Sequence, residues 1–438
     1  MATAAVPGVR RTGQFGTDEV RGSFREGVYY SDPNGETPLY AISERNAKGE
    51  KLPYYHHKWW AQRRPMQGGS FTAGQVYTTA DVVSGPAYTD AASPAGTVVY
   101  VKVSAAIAKQ IRKGHQVKLS KTADYRYTKA FECVGRTVNG SNSYVALALQ
   151  ETGSATYGLL GCNHIQVIGN MNPQFGARPE GVKYDPTQFE TKTQIFRTPF
   201  GMSRTAQEMA LRTGKPWARD KKMAGILHRQ EIERAFIDGI MTESVGDNGD
   251  ILTTLRGLNE YAITYADSAN IACYNTDETY AGLEWTADGG GMTWIENYLE
   301  NYGIWGIMEP MAVGGIKAVN AFDRLARAHS TYNISEGENA FGTKIRKFMG
   351  AAVTLQLKVH PMMSLDPVWN YGLILFDPKK MHYAYITDTM VNSQKSEDQR
   401  EDGLDGRIEE LLTECTFEYE DPRQIGILHG LGLNNTLE

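Results

Sequence analysis

Between residues 96 and 168 the hydrophobic positions alternate with a period of two. GTVVYVKV reads as a strand, and IRKGHQVKLS as a turn leading into another. In YRYTKAFECVGRTV the same period puts Tyr125, Tyr127, Phe131 and Cys133 on one face. NGSN at 139–142 is a hairpin signal ahead of the strand SYVALALQ. Hairpins spaced this way predict a small barrel or sandwich over 96–168.

The period then lengthens. Thr205 with Glu208 three residues on forms a capping-box pattern, opening a short helix to about Arg212 that Gly214 and Pro216 close. RDKKMAGILHRQEIERAFIDGIMTE, 219–243, is the longest helical run. Met223, Ile226 and Leu227 form one apolar group, and Ile232, Phe236 and Ile240 continue it at spacing four. Arg229, Glu231, Glu233 and Arg234 are expected to face elsewhere. Residues 245–292 are polar and end in ADGGG. MTWIENYLENYG reads as a helix, IMEPMAVGG as a strand and turn, and IKAVNAFDRLARAHS as a helix with Val319, Phe322, Leu325 and Ala326 on one side. AAVTLQLKVHP and YGLILFDPKKMHYAYI read as strands, and the charged run at 392–407 as a solvated loop. RIEELLTECTFEYEDPRQIGILHGLG closes the chain as a strand and a proline turn. No internal repeat is visible.

Residues 1–68 hold no period, mixing Gly, Pro, Asp and Asn with isolated aromatics and arginines. Such a segment buries too little apolar surface to offset its ordering entropy. Yet it carries Tyr29, Tyr30, Tyr54, Tyr55, Trp59 and Trp60, types enriched at interfaces. It reads as an arm that orders against other subunits; the alternative is a tail folded over its own domain.

The totals narrow the class. A chain of 438 residues suggests two or three domains. A net charge of −5 without a Lys/Arg cluster argues against a protein that coats itself in nucleic acid. The N-terminus lacks a signal-peptide apolar region, and runs such as YGLILF at 371–376 are too short to span a bilayer. Cys133, Cys162, Cys273 and Cys415 are scattered, which suits free thiols in a reducing compartment. A soluble protein made inside the cell is expected.

No P-loop, G-x-S-x-G elbow or H-E-x-x-H occurs. His56 and His57 are adjacent and point apart, a poor metal pair. Asp247-Asn248-Gly249-Asp250 lacks the spacing of a calcium loop and reads as a turn. Glu231 and Glu233, two apart, cannot share a helix face as an acid/base pair. Arg197 and Arg204 bracket a strand-to-helix junction in QIFRTPFGMSRTAQ. They could grip an anion at a helix N-terminus or pair with carboxylates across subunits. No catalytic, cofactor-binding or metal residue is assigned, and the chain is not expected to be an enzyme.

The parts in order, and the wording of TQIFRTPFGMSRTAQ, AGILHRQEIERAFIDGIM, GTKIRKFMGAAVTLQLKVHPMM, YGLILFDPKKMHYAYI and TECTFEYEDPRQIGILHGLG, resemble the major capsid (major head) proteins of tailed bacteriophages. The resemblance covers roughly residues 185–432. It implies an α+β, Hong Kong 97-like fold: an N-terminal arm at 1–68, an extended loop at 69–202 carrying the β-rich insertion, a peripheral domain with the spine helix at 203–258, an axial domain at 259–377, and closing peripheral strands at 378–438. The implied function is self-assembly into the icosahedral head shell enclosing a double-stranded DNA genome. The partners would be copies of itself in hexamers and pentamers, with scaffolding, cement and portal proteins as further candidates, without sequence-specific DNA binding, membrane or cofactor. Its place would be the virion, after synthesis in the host bacterial cytoplasm. Tyr29, Tyr30, Trp59, Trp60, Arg197 and Arg204 then become candidate intersubunit contacts. Nothing marks Lys102, Lys109 or Lys113 as crosslinking residues. The alternatives are an encapsulin-like nanocompartment shell, a phage tail or connector protein, and a two-domain enzyme or carbohydrate-binding protein using Trp59, Trp60 and Tyr125.

Overall fold

The computed structural model describes residues 38–434, apart from 47–48, 90–92, 123, 151–158, 173, 177, 210–214, 329–333, 337–345, 351–352 and 394–405. The chain divides into two units, one of residues 60–187 and one of 1–59 with 188–438.

In the first unit the period of two becomes one seven-stranded antiparallel sheet. Its order is Gly68–Ser70, His164–Asn170, His115–Lys121, Asp124–Thr137, Tyr144–Leu149, Val98–Lys102 and Val76–Tyr77. Every second residue turns inward, so Val99, Val101, Val117, Leu119, Phe131, Cys133, Val145 and Leu147 share one buried cluster. The expected barrel or sandwich is instead a single sheet; among the described residues its two end strands do not pair with each other. A short helix, Ala105–Gln110, covers it, with the Ser104 hydroxyl accepting the Ile107 N–H at its start. Arg136 donates to the carbonyls of Lys109 and Ile111 at its other end, at 2.7 and 2.8 Å.

The second unit holds two larger sheets. One runs Glu50–Lys51, Met381–Ser393, Gly406–Tyr419, Gln194–Ser203. The last two pair antiparallel from Gln194 opposite Cys415 to Ser203 opposite Gly406. The spine helix packs on it through Ala224, His228, Ile232, Phe236 and Ile237. It spans Pro216–Asp238, 23 residues and about 34 Å at ~1.5 Å per residue.

Both helix boundaries near this junction differ from the sequence reading. Pro216 does not close the short helix but opens the spine at its first turn, where a missing N–H costs nothing. The short helix is Arg204–Glu208, capped by Ser203 rather than Thr205. The spine stops at Asp238 because Gly239 meets Gly257. A Cβ on Gly257 would lie 2.5 Å from the Gly239 nitrogen, and Gly257 N–H donates to the Gly239 carbonyl at 2.8 Å. Glu243–Val245 then pairs with Ile251–Thr253 as a hairpin whose turn is the Asp-Asn-Gly-Asp stretch, with Gly249 at φ +83°. The polar region also conceals a helix, Leu258–Tyr265, in which only Leu258, Tyr261 and Ala262 are buried.

The other sheet is mixed: Ile271–Cys273, Gly426–His429, Leu373–Phe376, Met311–Gly314, Thr354–Val359, Arg346–Met349 and Ile334–Glu336. Helices Gly291–Trp305 and Ile316–Ala328 supply much of its core, with Trp294, Tyr298, Tyr302, Val319, Phe322 and Leu325 buried. Gly426–His429 departs from the expected boundary at 378. It lies inside this sheet, pairing with Leu373–Leu375 on one side and Ile271–Cys273 on the other.

Candidate assembly surfaces

The spine carries an acid where an apolar or solvent-facing residue was expected. Glu233 follows Ile232 and precedes Phe236 by three, so it falls on the arc that the helix buries. It is fully buried, and its carboxylate accepts the backbone N–H groups of Leu39 and Tyr40 at 2.8 and 2.7 Å and His360 Nε2 at 2.8 Å. Leu39 and Tyr40 belong to the first turn of a helix, Pro38–Asn46, so Glu233 caps a segment 194 residues distant. Lys358 is buried nearby. Desolvation lowers its proton affinity, and Glu233 pulls it back up.

This cap alters the reading of the arm. Leu39, Tyr40, Ile42, Leu52 and Trp59 are all buried, and Glu50–Lys51 pairs with Ala384–Tyr385. Residues 38–59 therefore pack on their own subunit, whereas Tyr29 and Tyr30 lie outside the described residues. Trp59 donates its indole N–H to the Tyr419 carbonyl at 3.1 Å and sits 6.1 Å from the rings of Phe189 and Tyr261. Alternation sends Trp60 the other way, to 61% exposure. The two histidines also diverge: His56 meets Glu190 at 3.0 Å and His57 meets Glu418 at 2.8 Å.

At the junction, Arg197 forms a two-pronged pair with Glu410 of the facing strand, Nε at 3.1 Å and Nη2 at 2.7 Å. The Arg197 hydrogen bond holds the Glu410 carboxyl below its usual range against partial desolvation, with Asn392 adding to the effect. Arg204 opens the short helix and is exposed. The two arginines share no anion site, since Arg197 is engaged with Glu410 across the sheet. One residue further along the return strand, Thr198 meets His228 Nδ1 at 2.9 Å. His228 Nε2 meets the Thr413 hydroxyl at 2.7 Å, and Thr413 meets Thr389 at 2.8 Å. One hydroxyl–imidazole chain thus ties the spine to three strands. Burial lowers the proton affinity of His228, with Glu231 raising it and Arg229 lowering it further.

Reactive groups are not gathered anywhere among these. Burial pushes the Cys133 thiol up to about 11 and the Cys415 thiol to about 12, away from nucleophilic use. Among the described residues no group of three His, Cys, Asp or Glu could hold a metal ion. The buried ionisable groups connect segments of the chain, and large apolar residues are left exposed at many places, among them the spine (Met223, Leu227), the hairpin after it (Val245, Ile251, Leu252) and Leu365. Buried ties within a subunit and apolar surface around it suit a protein that works by packing against copies of itself.

The chain is a capsid shell protein. It belongs to the SU10 major capsid protein family, whose model matches residues 72–432. Among solved structures it is similar to the encapsulin complex of Synechococcus elongatus (9% identity, 57% of this chain and 78% of that one, TM-score 0.38). It is also similar to the mature capsid of bacteriophage PhiM1 (11%, 60% and 78%, TM-score 0.37) and the capsid of the Myoviridae phage XM1 (12%, 58% and 82%, TM-score 0.36). No curated protein matches the chain. The assignment rests on the family match, which does not favour the enzyme and carbohydrate-binding alternatives.

Proposed function

We propose that copies of this chain close into the icosahedral head shell of a tailed bacteriophage, around its double-stranded DNA, from hexameric and pentameric rings. The observation that carries the reading is the family match over most of the chain. The two-pronged Arg197–Glu410 pair and the Glu233 cap support it, because both stiffen a subunit without forming a reactive centre. In this reading the spine helix and the sheet beneath it are the peripheral domain, and the seven-stranded mixed sheet is the axial domain. The 60–187 unit is an extended loop enlarged by its β-rich insertion, and the segment before Pro38 is the reach toward neighbours. Trp60 and Arg204 remain the exposed contact candidates from the sequence. A net charge of −5 suits a wall that encloses DNA without gripping it.

Size separates this reading from its rivals. The full chain, expressed alone and passed through size exclusion with light scattering, should elute as megadalton particles or as rings. A single species at 48.6 kDa across concentrations and salts would contradict self-assembly.

A further inference from the structure

The end strand of the mixed sheet, Ile271–Cys273, carries the least covered of the chain's thiols. Ala272 packs against the buried core of that sheet, so alternation turns Ile271 and Cys273 to the other face. The neighbouring strand, Gly426–His429, behaves alike: Leu428 lies in the core and His429 turns away from it. The two strands run parallel with Cys273 opposite His429, which sets a thiol and an imidazole side by side on the outer face. Cys273 Sγ and His429 Nδ1 are 3.7 Å apart.

The ring is held for this contact. His429 Nε2 donates to the Val368 carbonyl at 3.0 Å. A carbonyl only accepts, so Nε2 carries the proton and Nδ1 turns a lone pair to the thiol. Gly372 leaves the ring its room: a Cβ there would lie 3.2 Å from His429 Cδ2 and 2.8 Å from the Trp369 ring. An acceptor without a donor stands next to both strands. Asn275, two residues on from Cys273, lies against Gly430, the residue after His429, and its side-chain oxygen is buried with no hydrogen-bond partner. Buried acceptors are seldom left so. The other three thiols, Cys133, Cys162 and Cys415, are buried.

We infer that Cys273 is a modification site, a thiol that His429 activates toward small peptide disulfides such as oxidised glutathione. The Cys273 thiol passes its proton to His429 Nδ1, and Sγ attacks one sulfur of the disulfide. A new S–S bond forms as the old one breaks, and the departing thiolate takes up the proton. The small disulfide is itself the oxidant, and each chain is modified once. A peptide disulfide also brings N–H groups of the kind that the Asn275 oxygen lacks. The adduct stands on the outer face of an end strand, away from the core beneath. The inference goes beyond the shell reading and holds whether or not the subunits assemble.

Peptide mapping by mass spectrometry tests it on the folded full chain treated with oxidised glutathione. Cys273 should gain the glutathionyl mass about tenfold faster, or more, than Cys133, Cys162 or Cys415. Cys273→Ser should leave the folded chain without a fast-reacting thiol. His429→Ala should slow the gain at Cys273 about tenfold, and imidazole added to the buffer should restore it by taking the vacated place. Equal or faster labelling of another cysteine overturns the proposal, and the wild-type map shows this without any variant. An unchanged rate in His429→Ala overturns it too, because exposure alone would then account for the reaction. A slowed rate that imidazole does not restore does the same, since it marks His429 as a packing residue only.

Discussion

Glu233 and His228 show how single residues hold this subunit together. Glu233→Ala would strand two backbone N–H groups, His360 and the Lys358 environment without an acceptor. Breaking a buried charged network costs about 3–5 kcal/mol, and denaturant unfolding should show a loss of that order. Glu233→Gln, which keeps an acceptor oxygen, should lose less. Amide exchange at Leu39 and Tyr40 should accelerate in the alanine variant before the sheet loosens. His228 makes stability depend on pH. Its folded proton affinity is lowered by burial, so the unfolded chain takes up the proton first. The stability it confers is complete above the unfolded value of about 6.5 and is lost as pH falls from there through the lowered folded value. Replacing His228 with Gln should flatten the wild-type decline over that window in a thermal-melt series; an unchanged profile would assign the decline to other groups. Neither role was legible from residue type. Residue type puts Glu233 away from the apolar face, where acids usually lie, although its spacing from Ile232 and Phe236 puts it on the buried arc.

At the scale of elements, periodicity carried the reading where one face is buried and failed where tertiary contacts set the ends. The strands of 96–168, the helix from Ile316 and the pair Thr354–Val359 and Leu373–Phe376 stand where the alternation put them. The spine's ends could not be read, because Pro216 serves a helix start as readily as a stop and the contact of Gly239 with Gly257 joins positions 18 apart. Over 38–59 the few apolar residues are aperiodic and show no core in the sequence, yet they find partners far along the chain. Truncations resolve this. Removing residues 1–37 should impair shell closure. Removing 1–60 takes away five buried apolar side chains, at about 1.5–3 kcal/mol each, and should lower the midpoint by on the order of 10 °C. Equal midpoints for the two truncations would mean that residues 38–59 do not contribute to the fold.

For the whole molecule, the sequence made the class legible through the order and wording of its parts, but not the surfaces. Exposure on a folded subunit distinguishes Trp60 from Trp59 and brings Val245, Ile251 and Asp247 onto one projecting ribbon, and neither follows from composition. The central claim is that assembly is the function. It is tested most directly by electron microscopy of the full chain, purified without partners at low salt. Closed shells, or rings of six and five subunits, are the predicted result. Fields of uniform single subunits, from a preparation whose circular dichroism shows the native fold, would contradict the account.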